Sequence, residues 1–289
     1  MTPTPVRPAR GFTLVELLTV IAIIALLIGI LMPSLARARG QAKKVKVQSQ
    51  LDAIGKGLEM FRNDQRDQYP ISYRATDPIT NFPNANTPLQ GAHLLTRALL
   101  GYDLRGVDYD FRMLNGPNTT VAELQAAERR PTYVQLESAK TIQDTQAAAQ
   151  ANGLMGTGAP ETGRLIMLDG YGYPILYYQA NPTGQGIADR RSVVGAVYYQ
   201  EDNAMFTGGA GYTGWAFKNA QHDLATFGNA SDPDANPGST FVKFFHNHDV
   251  HEASGVITPY NKESFILLSA GEDGRYGTRD DVKNFKIGQ

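Results

Sequence analysis

The chain has 289 residues, a formal net charge of −1 and no cysteine. That balance gives no general electrostatic reason to expect nucleic acid as a partner, and it excludes a disulfide-stapled domain. Its 29 glycines and 16 prolines, beside 9% aromatic residues, describe a loop-rich globular part rather than a disordered one.

Residues 1–11 contain Pro3, Pro5, Pro8, Arg7 and Arg10 and read as a short leader that takes no part in the fold. From Phe12 to Met32 the sequence is almost wholly apolar. At about 1.5 Å per residue, a helix of that length spans roughly 30 Å, the hydrocarbon thickness of a bilayer. Glu16 stands near the start of this run. A carboxylate at that depth costs on the order of 2.5–3.5 kcal/mol, so a positive partner is expected to meet it. A secretory signal fits less well, because the small residue Gly11 precedes the apolar core and Pro33 follows Met32 at once.

In Gly11-Phe12-Thr13-Leu14-Val15-Glu16-Leu17 the chain resembles the type IV pilin and type II secretion pseudopilin superfamily. The resemblance implies cleavage between Gly11 and Phe12 by a membrane prepilin peptidase, methylation of the new amine of Phe12, and pairing of Glu16 with an N-terminal amine during assembly. It also implies that Pro33 falls where such helices commonly bend. Arg7 and Arg10 precede the span, whereas Arg37, Arg39, Lys43, Lys44 and Lys46 follow it. Charge counting alone therefore favours a cytoplasmic C-terminal domain. The resemblance implies the opposite side: a single pass of the inner membrane, with the domain in the periplasm or outside the cell. The basic run itself can touch lipid headgroups or simply form a solvated helix face.

Beyond Pro33, Val47, Leu51, Ile54, Leu58 and Phe61 recur at spacings of four and three, one apolar stripe on a helix reaching about Gln65. Gly40, Gly55 and Gly57 soften it locally, and Tyr69-Pro70 marks its end. Short helices are predicted over 92–100, 121–129 and 138–152, with a loop over 76–88. Strands are predicted over 164–168, 174–179, 193–200, 240–246 and 264–268, separated by Gly, Pro, Asn and Asp clusters. Their short connections suit an antiparallel sheet.

The segment Leu168-Asp169-Gly170-Tyr171-Gly172-Tyr173-Pro174 then resembles the Asp-x-Trp-Gly-Asn-Pro turn of major, G-type pseudopilins, with Tyr171 and Tyr173 replacing the tryptophan and asparagine. Ser269-Ala270-Gly271-Glu272-Asp273-Gly274 is similar to that family's Ser-x-Gly-x-Asp-Gly loop, which runs on to an acidic pair, here Asp280-Asp281. The resemblance implies one bound calcium, with Asp273 and Asp280 as side-chain ligands, the Ala270 carbonyl as a backbone ligand and Asp281 as an alternative or outer acid. Calcium takes six to eight oxygens at 2.3–2.6 Å, and Gly271, Gly274 and Gly277 let the loop turn tightly enough to gather them. Such a cation would stabilise the domain by mass action in place of disulfides.

Other candidates are weaker. Asp232–Gly238 fails the EF-hand pattern, because glycine arrives one position late and Lys243 stands where glutamate is required. Gly208-Gly209-Ala210-Gly211 lacks the setting of a phosphate loop. His246, His248 and His251 fall within six residues. On a strand, His246 and His248 would share a face, a workable zinc pair with Asp249 or Glu252 near in sequence.

The predicted architecture is α+β: a leader (1–11), a transmembrane and filament-core half-helix (12–33), an amphipathic half-helix (34–66) and an extracytoplasmic domain (67–289) whose antiparallel sheet carries the calcium loop. The function implied by the resemblance is that of a structural subunit, without enzymatic chemistry, in a helical type II secretion pseudopilus or pilus-like filament. Its partners would be copies of itself, the prepilin peptidase, the assembly platform with its ATPase, and lipid before assembly. G-type subunits are about half this length, so 70–164 and much of 202–263 read as insertions. They leave room for a minor pilin or adhesin. The alternative from another class is a membrane-anchored zinc-binding surface protein.

Overall fold

The computed structural model describes residues 13–80, 88–107, 119–135, 140–144, 164–209, 222–232, 238–254 and 258–285. Gly11 and Phe12, the Asp232–Gly238 turn from its second residue to Asn236–Pro237, and the glycine run from Ala210 onward lie outside them. The chain divides into two units, Met1–Lys43 and Lys44–Gln289.

Helix α1 runs Leu14–Asp64 and contains Pro33. Within the first unit its large apolar residues are exposed, from Leu14 at 75% to Met32 at 68%. By length and composition it is able to cross a membrane. Within the second unit the stripe Val47, Leu51, Ile54, Leu58 and Phe61 is buried. Gly57 belongs to the same seam: a Cβ there would lie 2.6 Å from Val134 Cγ2, so this glycine allows close packing rather than softening the helix. The helix stops where Asp67 takes a left-handed φ of 67° and its N–H reaches back to the Arg62 carbonyl at 3.0 Å.

After α1 come three two-residue strands, β1 (Tyr73–Arg74), β2 (Ile79–Thr80) and β3 (Leu89–Gln90), then helix α2 (Gly91–Leu100). Strand β4 (Thr119–Thr120) leads into helix α3 (Val121–Ala126), capped by Thr120 and Glu123. Strands β5 (Lys140–Asp144), β6 (Arg164–Leu168), β7 (Leu176–Gln179), β8 (Ile187–Ala188) and β9 (Tyr198–Tyr199) follow, then short helix α4 (Ala204–Thr207). Helices α5 (Phe241–Phe245) and α6 (His248–Ser254) precede β10 (Phe265–Ser269) and β11 (Val282–Lys283).

The central sheet has the order β11-β10-β7, antiparallel throughout, with Leu267 opposite Tyr177 and Ser269 opposite Val282. Every residue of β10 is buried, and the strand period divides them. Phe265 and Leu267 join Tyr177 and Val282 in the core that holds the α1 stripe and α2. Ile266 and Leu268 join Tyr178, Tyr198, Phe206, Phe241, Phe245 and Tyr276 in a second core on the other face. A sheet buried on both faces explains why FILLS reads as a continuous apolar run without alternation.

Beyond β7, Asn203 fixes the sheet to α2: its amide donates to the Tyr177 carbonyl at 2.7 Å and its side-chain oxygen accepts the Ala92 N–H at 3.0 Å. Thr96 Oγ1 in turn accepts the Met167 N–H of β6 at 2.9 Å.

Three predicted elements differ. The expected strand 240–246 is helix α5, because Thr240 Oγ1 caps Lys243 N–H and FVKFF buries Phe241, Val242, Phe244 and Phe245, a helical spacing. Within the expected helix over 138–152 the described residues Lys140–Asp144 form β5 instead, antiparallel to β6, with Lys140 opposite Leu168, and the rest of that span lies outside the described residues; β-branched Thr141 and Ile142 suit a strand. Of the expected strand 193–200 only Tyr198–Tyr199 pairs, parallel with β8, since Val194 is 93% exposed and Gly195 turns the chain at φ 91°.

Candidate functional site

At the head of α1, Thr13 and Glu16 form a capping box. Glu16 Oε2 accepts the Thr13 N–H at 2.9 Å and its hydroxyl at 2.8 Å, while Glu16 N–H donates to Thr13 Oγ1 at 3.2 Å. The helix start thus brings the carboxylate back to the residue that immediately follows Phe12.

At the other end of the chain, Asp169 couples the two stretches on which the likeness to G-type pseudopilins rests. One oxygen accepts the N–H groups of Tyr171 and Tyr173, each at 2.8 Å, and the other accepts the Ser269 hydroxyl. Burial raises this carboxyl above its ordinary value, against those hydrogen bonds. The sequence offered Asp169 only as part of a turn; its link across to Ser269, the start of the acidic loop, joins residues too far apart for spacing to show.

The loop then closes on Asp280. Its Oδ2 accepts Glu272 N–H at 2.8 Å and Asp273 N–H at 3.1 Å, and its Oδ1 accepts the Thr278 hydroxyl. Gly271 at φ 66° makes this possible, because a Cβ there would collide with Asp280. Asp273 Oδ1 accepts Arg275 N–H at 2.7 Å, and Arg275 pairs with Asp223 at 2.6 Å. Tyr276 plugs the loop into the second core, its hydroxyl donating to the Pro174 carbonyl at 2.6 Å.

Asp281 is 4% exposed and its Oδ2 accepts Gly277 N–H at 2.8 Å. Burial pushes its carboxyl well up; Gly277 and Lys283 pull it down, while Asp280 and Asp273 add repulsion. In Asp280 the hydrogen bonds from Thr278, Asp273 and Glu272 outweigh burial and leave it lowered. Asp273, Asp280 and Asp281 are therefore brought to one corner, with Ala270 buried at its entrance. The donor set is all oxygen, which suits calcium. As it stands, the Asp280 carboxylate is turned onto backbone N–H groups, and among the described residues no three His, Asp or Glu form a ready metal cage.

The histidines come together by another route than the one expected. His246 follows α5 and is fully buried, while His248 and His251 lie on α6, three residues apart on one helical face. The His246 ring centroid is 4.7 Å from that of His248 and 5.0 Å from that of His251, both edge to face. The expected zinc pair on a strand is thus replaced by three rings at a helix-to-helix corner.

The sequence missed a buried ionic staple. Asp77 accepts a bidentate pair from Arg97, at 2.7 and 2.9 Å, and a further contact from Arg164 Nε at 3.2 Å. Burial pushes Asp77 up, but Arg97, the Ile79 N–H and Arg164 together hold it below its ordinary value. These residues join the β2 region, α2 and β6, and nothing in their spacing signals it. Asp202, fully buried, is held likewise by Arg191 at 2.7 and 2.8 Å and by the Ser72 hydroxyl at 2.6 Å.

A long helix with one acid at its head, whose second half packs on an antiparallel sheet, makes an α+β arrangement of the pilin-like kind, and its first half is long and apolar enough to cross a membrane. Residues 6–32 match the family of the prokaryotic N-terminal methylation motif. Over 58 residues the chain is 48% identical to the type IV wide pilus major component PilA4 of Thermus thermophilus, which covers 20% of this chain and 44% of that protein. It is 32% identical over 79 residues to the type II secretion system core protein G of Aeromonas hydrophila, covering 27% of this chain and 54% of the relative. With the Escherichia coli core protein G it shares 32% over 74 residues, covering 26% and 50%. No solved structure matches. Over these matched stretches the chain is similar to type IV pilins and to type II secretion core protein G. It spans about half the length of the curated relatives it matches.

Proposed function

We propose that the chain is a structural subunit of a helical pseudopilus or pilus-like filament and performs no enzymatic chemistry. The observation that carries this reading is the head of α1, where an acid caps a helix whose apolar residues have no cover within their own unit. Lipid would cover them before assembly and the helices of neighbouring copies afterwards. Repeated contact of one patch with a different patch on the next copy builds an open filament.

In this reading a prepilin peptidase cuts after Gly11, the amine of Phe12 is methylated, and Glu16 exchanges its hold on Thr13 for a mature N-terminal amine. The pairing offsets the cost of a carboxylate in the apolar layer. The second unit faces the periplasm or the cell exterior, and a platform with an ATPase inserts the subunits. A calcium ion held by Asp273, Asp280 and the Ala270 carbonyl, with Asp281 behind them, would tighten the C-terminal loop. The close acids and the raised Asp281 carboxyl support it, because a cation would relieve their repulsion.

The test combines mass spectrometry of the mature N-terminus with electron microscopy of surface and periplasmic fractions. Chains that begin at methylated Phe12 inside filaments are expected, together with loss of filaments in Glu16→Ala at unchanged protein level. Chains that keep Met1, or filaments that persist in Glu16→Ala, would sink the reading.

A further inference from the structure

His246, His248 and His251 form a second cluster of ligating side chains, separate in sequence from the acidic loop. It has a feature that ordinary aromatic packing does not need. His251 Nδ1 is shielded from solvent and has no hydrogen-bond partner among the described residues. Leaving such a nitrogen dry costs stability that a bound cation would recover.

Two constraints limit what the cluster can take. Its donors are imidazoles, which suit zinc, nickel and copper and not the oxygen-seeking calcium or magnesium. Its three rings lie within a six-residue segment, so little chain entropy is lost in organising them. His246 is anchored: its N–H donates to the Val242 carbonyl at 3.0 Å, and it bridges to Pro259. His248 and His251 are only partly buried. The rings now meet edge to face rather than as a ready cage. A shared ion requires His248 and His251 to rotate about their side-chain bonds, with His246 fixed.

We propose that His246, His248 and His251 bind one borderline divalent transition ion, with zinc as the representative, independently of the acidic C-terminal loop. Three imidazoles leave a fourth position to water or to a group from outside the chain. Bound there, the ion ties the end of α5 to both turns of α6.

The test uses the full chain in detergent, loaded with zinc, passed over a desalting column and measured for retained metal, with calcium-loaded protein as control. About one zinc per chain is expected, its X-ray absorption showing imidazole ligation. His248→Ala and His251→Ala are each expected to weaken zinc binding about tenfold or more. Both side chains are partly exposed, so circular dichroism should remain that of the parent, whereas buried His246 is a poorer target. Asp280→Asn is expected to keep zinc binding intact. Failure to retain stoichiometric zinc overturns the proposal, as does retention unchanged by both histidine substitutions. Neither result touches filament assembly, which is read from Glu16→Ala.

Discussion

The two halves of α1 follow the same helical geometry and reach opposite ends. In the second unit the stripe from Val47 to Phe61 is buried against α2 and the sheet. In the first, Leu14, Ile24 and Met32 remain at 75%, 49% and 68% exposure. A helix is stable in water mainly through the partner for its apolar face. One half has found that partner inside its own unit, and the other half has no such cover among the described residues of its unit. If the proposed filament forms, folding and assembly are separable along a single element, and substitutions should sort by which half they touch.

The largest effect on folding is expected on the completed side, at the ionic staple. Asp77→Asn leaves Arg97 and Arg164 facing a neutral amide and should cost about 3–5 kcal/mol, measured by chemical denaturation of the full chain in detergent. Ile54→Ala should cost about 2–5 kcal/mol, since Ile54 is fully buried in the seam with the sheet. If the same substitution at Ile24 cost as much, the division between the halves would fail. Ile24→Ala is expected to change domain stability by less than about 0.5 kcal/mol and to lower filament yield instead.

Acid and base should act on different carboxylates. Asp77 has a lowered folded value, so its contribution is present above the ordinary carboxylate value of about 3.9 and is lost as pH falls through the lower folded value. Asp281 has a raised one, so its contribution is full below about 3.9 and is lost as pH rises through the folded value. In metal-free protein the C-terminal loop should loosen as pH rises above the ordinary carboxylate value. The calcium-induced rise in melting temperature should accordingly be larger at pH 8 than at pH 5. A calcium effect independent of pH would mean that Asp281 does not sense the ion.

How far the sequence could be read follows from how local each signal is. The α1 stripe was legible because five apolar residues keep helical period, and β6 and β10 because apolar runs end at turn residues. Helix α5 was not, because a five-residue aromatic run lies below the length at which strand and helix differ by pattern, and only the Thr240 cap distinguishes them. The acidic loop was legible as a set of neighbours, but not the turning of Asp280 onto backbone N–H groups. The Asp77 staple and the Asp169–Ser269 link were invisible, since their members lie 20 and 100 residues apart. The histidines were found by proximity in sequence, while their common corner depends on two helices that were not expected.

The edges of the central sheet would restrict how copies of this chain meet in the proposed filament. An exposed strand edge is a template for edge-to-edge pairing, and a protein that works at high local concentration is exposed to that hazard. Here one border is only the two residues of β11, where the Lys283 ammonium sits 4.5 Å from the centre of the Phe244 ring. At the other border the Tyr177 carbonyl of β7 is already occupied by the Asn203 amide. A short β11 and an occupied Tyr177 carbonyl leave little edge for strand addition at these two points, and in the proposed filament growth would fall to the helices rather than to an amyloid-like ladder.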